Sequence, residues 1–141
     1  MPDTLTRLGI LALVLLFSAA LLWAGRVFVA RQRGLALAAE PLADTTGKIR
    51  VLAFGSATCN QCHTLQQPAL RTLQELRGPE IDVLEIDAPA SPELVKRYRI
   101  MTVPSTVLLN AAGEAFAINY GFANAAKLQT QIDALLAHSS L

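Results

Sequence analysis

The chain has 141 residues, enough for one ordinary globular domain and too few for two. Hydrophobic residues make up 52% of it and charged residues 16%, against about 25% charged in a usual soluble domain, and the skew sits in the first thirty residues. A formal net charge of +1 and the lack of a basic stripe with interleaved aromatics argue against nucleic acid as a partner, and two cysteines are too few for a disulfide framework.

Residues 1–7 are a short tail holding Asp3 and Arg7. From Leu8 to Gly25 no residue is charged, and at 1.5 Å per residue this run spans about 27 Å against a hydrocarbon core of about 30 Å. Arg26 interrupts, but Val27 to Ala30 stay apolar, and a snorkelling Arg26 extends the predicted transmembrane anchor helix over 8–30. Trp23 lies where an interfacial ring is favoured. A cleaved signal peptide is the alternative. The apolar run exceeds the usual signal core of about 7–15 residues, and the small residues near Leu37–Ala39 lie beyond Arg26, Arg31 and Arg33. Arginine excess after the span leans the globular part toward the cytoplasm, with the extracytoplasmic side left open by a difference of only about two charges.

Residues 31–47 have no apolar period and read as a linker, with the domain at 48–141. Ile49–Gly55 is a short apolar run of the kind that forms a buried strand. Cys62, Leu65, Ala69, Leu73 and Leu76 recur at three- and four-residue steps, which predicts a helix from Cys59 to Leu76 with a kink at Pro68. Ile81–Asp87 alternates like a strand. Ser91 and Pro92 suit the N-cap and first position of a short helix. Ser105–Leu109 and Glu114–Tyr120 read as strands joined by a turn at Ala111–Gly113, and Leu128, Ile132, Leu135 and Leu136 mark one face of a last helix. The order β-α-β-α-β-β-α implies a parallel first pair, an antiparallel hairpin and one sheet with helices on both faces.

Cys59 and Cys62 stand where the first strand gives way to the first helix of this domain. Unpaired N–H groups and the positive dipole end at a helix start favour a thiolate. Cys59 should lie near the surface and attack a substrate disulfide; Cys62, one turn in, should then attack Cys59 and release the reduced product. The same residues also spell C-x-x-C-H, a haem-attachment pattern, with His63 as one axial ligand and Met101 as the imagined other. Zinc would need two further ligands, and only His63 and His138 are on hand. An inert cross-link is a fourth reading, although closing so small a loop adds little stability.

The element order, the C-x-x-C at the first strand–helix junction and the run Tyr98 to Pro104 ending in Val-Pro resemble the thioredoxin family over about Lys48 to Leu136. The resemblance implies a minimal thioredoxin-like fold, a four-stranded mixed sheet flanked by helices, without the family's extra amino-terminal strand and helix. It implies that Pro104 is a cis proline beside the active pair, and that Val103 offers backbone groups to an extended substrate. Gly113 and Gly121 match a turn glycine and a near-site glycine. Substrate would meet Thr58, Asn60, Gln61, Val103, Pro104 and Gly121 around the catalytic Cys59 and Cys62. The implied activity is thiol–disulfide exchange with protein thiols and disulfides, served by an unidentified electron donor or acceptor, with no cofactor and no metal. A redox-inactive binding module on the same fold is the alternative within the family. The sequence departs from the family at Thr58, where tryptophan is common, and at Asn60-Gln61, where Gly-Pro is common. It departs again at Ala53, the place of a buried carboxylate, at Val83, the place of a lysine, and at Pro68, one residue late. Proton handling then falls to water, Glu85 or His63.

Overall fold

Leucine and alanine dominate the amino-terminal stretch and no proline interrupts it after Pro2, so it forms one unbroken helix, α1, at Pro2–Leu37. The structure is a computed structural model in which residues 2–39 and 47–139 are described, and the chain divides into two compact units, Met1–Gly34 and Leu35–Leu141. In the first unit the side chains from Leu8 to Phe28 stand exposed. The apolar window of α1 has a mean hydropathy of 2.4, and the helix is long and apolar enough for a membrane span or a signal sequence. The helix runs on through Arg31–Leu37, where the sequence had suggested a linker. Gln32, Arg33 and Leu35 are good helix formers, and one internal glycine, Gly34, costs only about 1 kcal/mol. Residues 40–46 of that linker lie outside the described residues.

The second unit is built on four strands: β1 (Ile49–Gly55), β2 (Ile81–Asp87), β3 (Ser105–Leu109) and β4 (Ala115–Tyr120). They form one sheet in the order β2-β1-β3-β4. β1 runs parallel to β2 and antiparallel to β3, which in turn is antiparallel to β4. Alternation along β1 sends Val51 and Ala53 to one face, and Leu52 and Phe54 to the other. The first face is covered by α2 (Gln67–Arg77) and α4 (Ala125–Ser139) through Leu70, Leu73, Leu128, Ile132 and Leu135. The second is covered by α3 (Pro92–Arg97) and the residues after it, where Tyr98 is fully buried beneath Leu94 and Val95. The mixed, doubly covered sheet expected from the sequence is the one observed.

Local chemistry explains the ends of these elements. Ser91 starts α3 through its carbonyl, which accepts from the Val95 N–H at 3.1 Å; its side chain makes no capping bond, contrary to the expectation. Pro92 supplies the start instead, since its fixed φ suits a first helical turn and its missing N–H is not needed there. Arg99, at a φ of 51°, closes α3: its N–H reaches the Lys96 carbonyl, and the Ile100 N–H reaches Val95. Between β3 and β4 the Asn110 carboxamide oxygen accepts from the Ala112 and Glu114 N–H groups, both at 2.9 Å, and Gly113 takes a φ of 82° that a side chain would resist.

Burial of the Tyr98 hydroxyl pushes its pKa above the ordinary value of 10.0, and the positive charges of Arg97 and Arg50 pull it part of the way back. Below that ordinary value the phenol is protonated in folded and unfolded chains alike. Above it the unfolded chain releases the proton first, so stability falls as pH rises through the higher folded value. Urea midpoints of the full chain are expected to drop between pH 8 and pH values above about 10, with a smaller drop for Tyr98→Phe. Identical drops in the two proteins would contradict that coupling.

Candidate active site

Strand register gathers the expected site residues at one end of the sheet. Gly55 ends β1 beside Asp87 of β2, and Phe54 pairs with Ser105, so Pro104 falls next to the β1 terminus. Ser105 pairs with Tyr120, which places Gly121 at the same end. The Val103–Pro104 bond is cis, and Gly121 has a φ of 85°, a conformation that suits glycine. Pro104 is buried, while Val103 and Gly121 are half-buried. The Ser105 hydroxyl donates to the Thr102 carbonyl at 2.7 Å and fixes the turn into β3.

Beyond Gly55 the chain turns through Ser56–Thr58, and the Cys59 N–H donates to the Ser56 carbonyl at 3.1 Å. Thr58, Asn60 and Gln61 are exposed around the pair. Cys59 and Cys62 form a disulfide with Cα atoms 5.3 Å apart. The Cys62 N–H points at Cys59 Sγ from 3.2 Å, which is the helix-start donor expected to favour a thiolate on Cys59 in the reduced protein. Cys59 is half-buried and Cys62 only 6% exposed, so the expected asymmetry between an accessible and a sheltered sulfur is present. A Cβ placed on Gly55 would stand 3.5 Å from Cys62 Sγ, which shows how closely the end of β1 backs the sheltered cysteine.

The helix that carries the pair differs from the expected one. Cys62–Gln66 forms a π turn, closed by the Gln67 N–H on the Cys62 carbonyl, and α2 follows with Pro68 in its first turn. Proline cannot donate to a carbonyl one turn back, and a widened turn stands just ahead of it. The buried face differs from the expected one. Cys62, Gln66, Leu70 and Leu73 point inward, whereas Leu65 and Leu76, expected in the core, are 45% and 58% exposed.

That face includes a residue the sequence reading missed. Gln66 is 3% exposed, and its carboxamide donates to the Ala123 carbonyl and accepts from the Ala123 N–H, each at 3.1 Å. The π turn is thereby clasped to the segment just after Gly121. A glutamine four residues after Cys62 within an apolar stripe was the available signal. Beside the pair lies a cavity of about 300 Å3, walled in part by Ala53, Cys62, His63, Gln67, Glu85 and Asp87. His63 is exposed and its Nε2 donates to the Ala57 carbonyl at 3.2 Å. Met101 is exposed in the turn before the cis bond. No group of three or more His, Cys, Asp or Glu gathers among the described residues.

A strand-to-helix C-x-x-C facing a cis proline on a mixed sheet defines a thioredoxin-fold domain with a dithiol–disulfide centre. The thioredoxin family model matches residues 40–134, and the chain belongs to that family. Among solved structures it is similar to the germline-specific thioredoxin Deadhead of Drosophila melanogaster, with 27% identity and a TM-score of 0.57, covering 64% of this chain and 83% of that one. It is also similar to thioredoxin-2 of the malaria parasite, with 22% identity and a TM-score of 0.60, covering 66% and 88%. Chloroplastic thioredoxin z matches at 24% identity and a TM-score of 0.57, covering 65% and 81%. No curated protein matches the chain by sequence. Family and cysteine pair together support a thiol–disulfide redox function in general terms.

Proposed function

We propose that this chain is a membrane-tethered thiol–disulfide oxidoreductase that exchanges its Cys59–Cys62 pair with protein thiols and disulfides. The observation that carries the reading is the pairing of a half-buried Cys59, whose sulfur faces the Cys62 N–H at 3.2 Å, with a sheltered Cys62 behind it. Cys59 is the attacking sulfur and Cys62 the resolving one. Thr58, Asn60, Gln61, Val103, Pro104 and Gly121 form the surface that substrate meets, with the backbone of half-buried Val103, beside the cis bond, suited to an extended segment. The haem and zinc readings gain nothing from the site, where the two sulfurs face each other and His63 turns back onto Ala57.

The apolar helix supports anchoring through 8–30, with 31–47 as the connection to a redox domain at 48–141. Arg26, Arg31 and Arg33 favour a cytoplasmic domain, where a dithiol donor would keep the pair reduced. On the other face the pair would need a dedicated reductant or would act as an oxidant.

The test is a redox titration of the full chain in detergent micelles against glutathione and dithiothreitol, counting free thiols. A reversible two-electron transition is expected. A midpoint near about −270 mV would place the pair with reductants, and one near about −120 mV with oxidants. Thiols that stay free, or stay blocked, at every potential would overturn the reading.

A further inference from the structure

Resolution of a mixed disulfide on Cys59 requires Cys62 to lose its proton, because the thiolate is the nucleophile. Cys62 is 6% exposed, and apolar surroundings disfavour a charged sulfur. The β1 side chain on this face of the sheet, Ala53, is a methyl group that accepts nothing. Beside that methyl group lies the cavity of about 300 Å3 that Cys62 walls, and its polar lining includes Ser56, Gln67, Glu85 and Asp87. At about 30 Å3 per water molecule, and with several polar side chains in its lining, such a space has room for a small water cluster.

We propose that Glu85 takes the proton of Cys62 through water in this cavity. Glu85 is the register partner of Ala53 on the neighbouring strand, so its carboxylate stands one strand over from the methyl group. The Gln67 carboxamide donates to Glu85 Oε2 at 3.4 Å and holds the acid at the cavity wall. Glu85 is also exposed, so a proton it receives can pass on to bulk solvent. The charged and titratable groups around it are Arg71 of α2, which shares a groove with it, His63 of the π turn, and Asp87 of β2 itself; β1 contributes none. His63 also borders the cavity; its Nε2 donates to Ala57, so a proton passed to it would land on Nδ1, and variants at the two positions separate the two acceptors.

The step rests on the exchange reading above and balances as follows. The Cys62 proton moves through water to the Glu85 carboxylate. The electron pair left on Cys62 Sγ forms the bond to Cys59 Sγ, while the bond between Cys59 and the substrate sulfur breaks. Its pair leaves on the substrate sulfur, which takes a proton from solvent. The cysteine pair is oxidised by two electrons and the substrate disulfide reduced by two, and Glu85 returns its proton to solvent. In the oxidising direction the same path runs backward and protonates the leaving Cys62.

The test is single-turnover exchange at pH 7 between glutathione disulfide and the full chain, reduced with dithiothreitol, desalted and held in detergent micelles. Samples are quenched in acid, and the Cys59–glutathione adduct is followed by mass spectrometry. Glu85→Gln is expected to leave adduct formation unchanged and to lengthen adduct lifetime by roughly tenfold or more. Glu85→Asp keeps the carboxylate, and a water relay tolerates its shorter stem, so its adduct is expected to decay within about threefold of the natural rate. Wild-type decay in Glu85→Gln would overturn the proposal. So would equal slowing in Glu85→Asp, which would mark a packing role, or slowing confined to His63→Gln. If the natural chain forms no adduct at all, the exchange reading itself fails, a result distinct from each of these.

Discussion

Cys59→Ser is expected to drop disulfide-reducing turnover to the uncatalysed background, a loss of roughly three orders of magnitude or more. A serine hydroxyl is not ionised near neutral pH, so the helix-start donor that faces the Cys59 sulfur from 3.2 Å has no anion to stabilise. Cys62→Ser should behave differently. Cys59 keeps its donor and its access to solvent, so it still attacks, but nothing resolves the product. The adduct with a disulfide substrate then accumulates to about one per chain and is released only by added reductant. Non-reducing gels and intact mass after incubation with an oxidised peptide read both results. Full turnover by Cys59→Ser, or equal adduct formation by the two variants, would remove the assignment of attacking and resolving roles.

Gln66→Ala is expected to destabilise the second unit by about 2–5 kcal/mol. The variant strands two buried backbone groups of Ala123, each at roughly 1–3 kcal/mol, besides losing packing. The measurement is the urea midpoint of the full chain in micelles, with the slope checked for constancy. A loss under about 1 kcal/mol would mean that water replaces both bonds and that the clasp does not hold the segment after Gly121. Since that segment belongs to the surface proposed for substrate, exchange should slow in the same variant.

Much of this architecture is legible from residue pattern because the sheet is built from short apolar runs with few alternatives. Ile49–Gly55 and Ser105–Leu109 are buried on both faces and read as mostly apolar stretches, with Arg50, Ser105 and Thr106 as the exceptions. The turn at Ala111–Gly113 was visible from its glycine. The cysteine pair was legible because its spacing and its position after a strand agree. The helix after it was misread in its buried face: Cys62, Gln66, Leu70 and Leu73 follow a helical spacing as regular as the one through Leu65 and Leu76, and the leucines were preferred over a glutamine. Leu65 and Leu76 therefore lie toward solvent, and Gln66 and Leu70 lie inside. Pro68 announced a disturbance but not its form, since a kink and a widened turn both relieve a missing donor. Ser91 is a case in which composition suggested a side-chain cap while proline geometry was sufficient. The cavity beside Cys62 was not legible at all, because it depends on the small side chain of one strand meeting the longer one of its neighbour.

The direction of β1 has a practical meaning for reach. The chain joins the sheet at Ile49, and the reactive pair lies beyond Gly55 at the other end of that strand. At about 3.3 Å per residue, some 20 Å of strand separates the point of attachment from the chemistry. The backbone therefore enters β1 at the end of the strand away from the sulfurs. A substrate at Cys59 thus meets the strand ends that Gly55 and Asp87 share, a full strand length from where β1 begins.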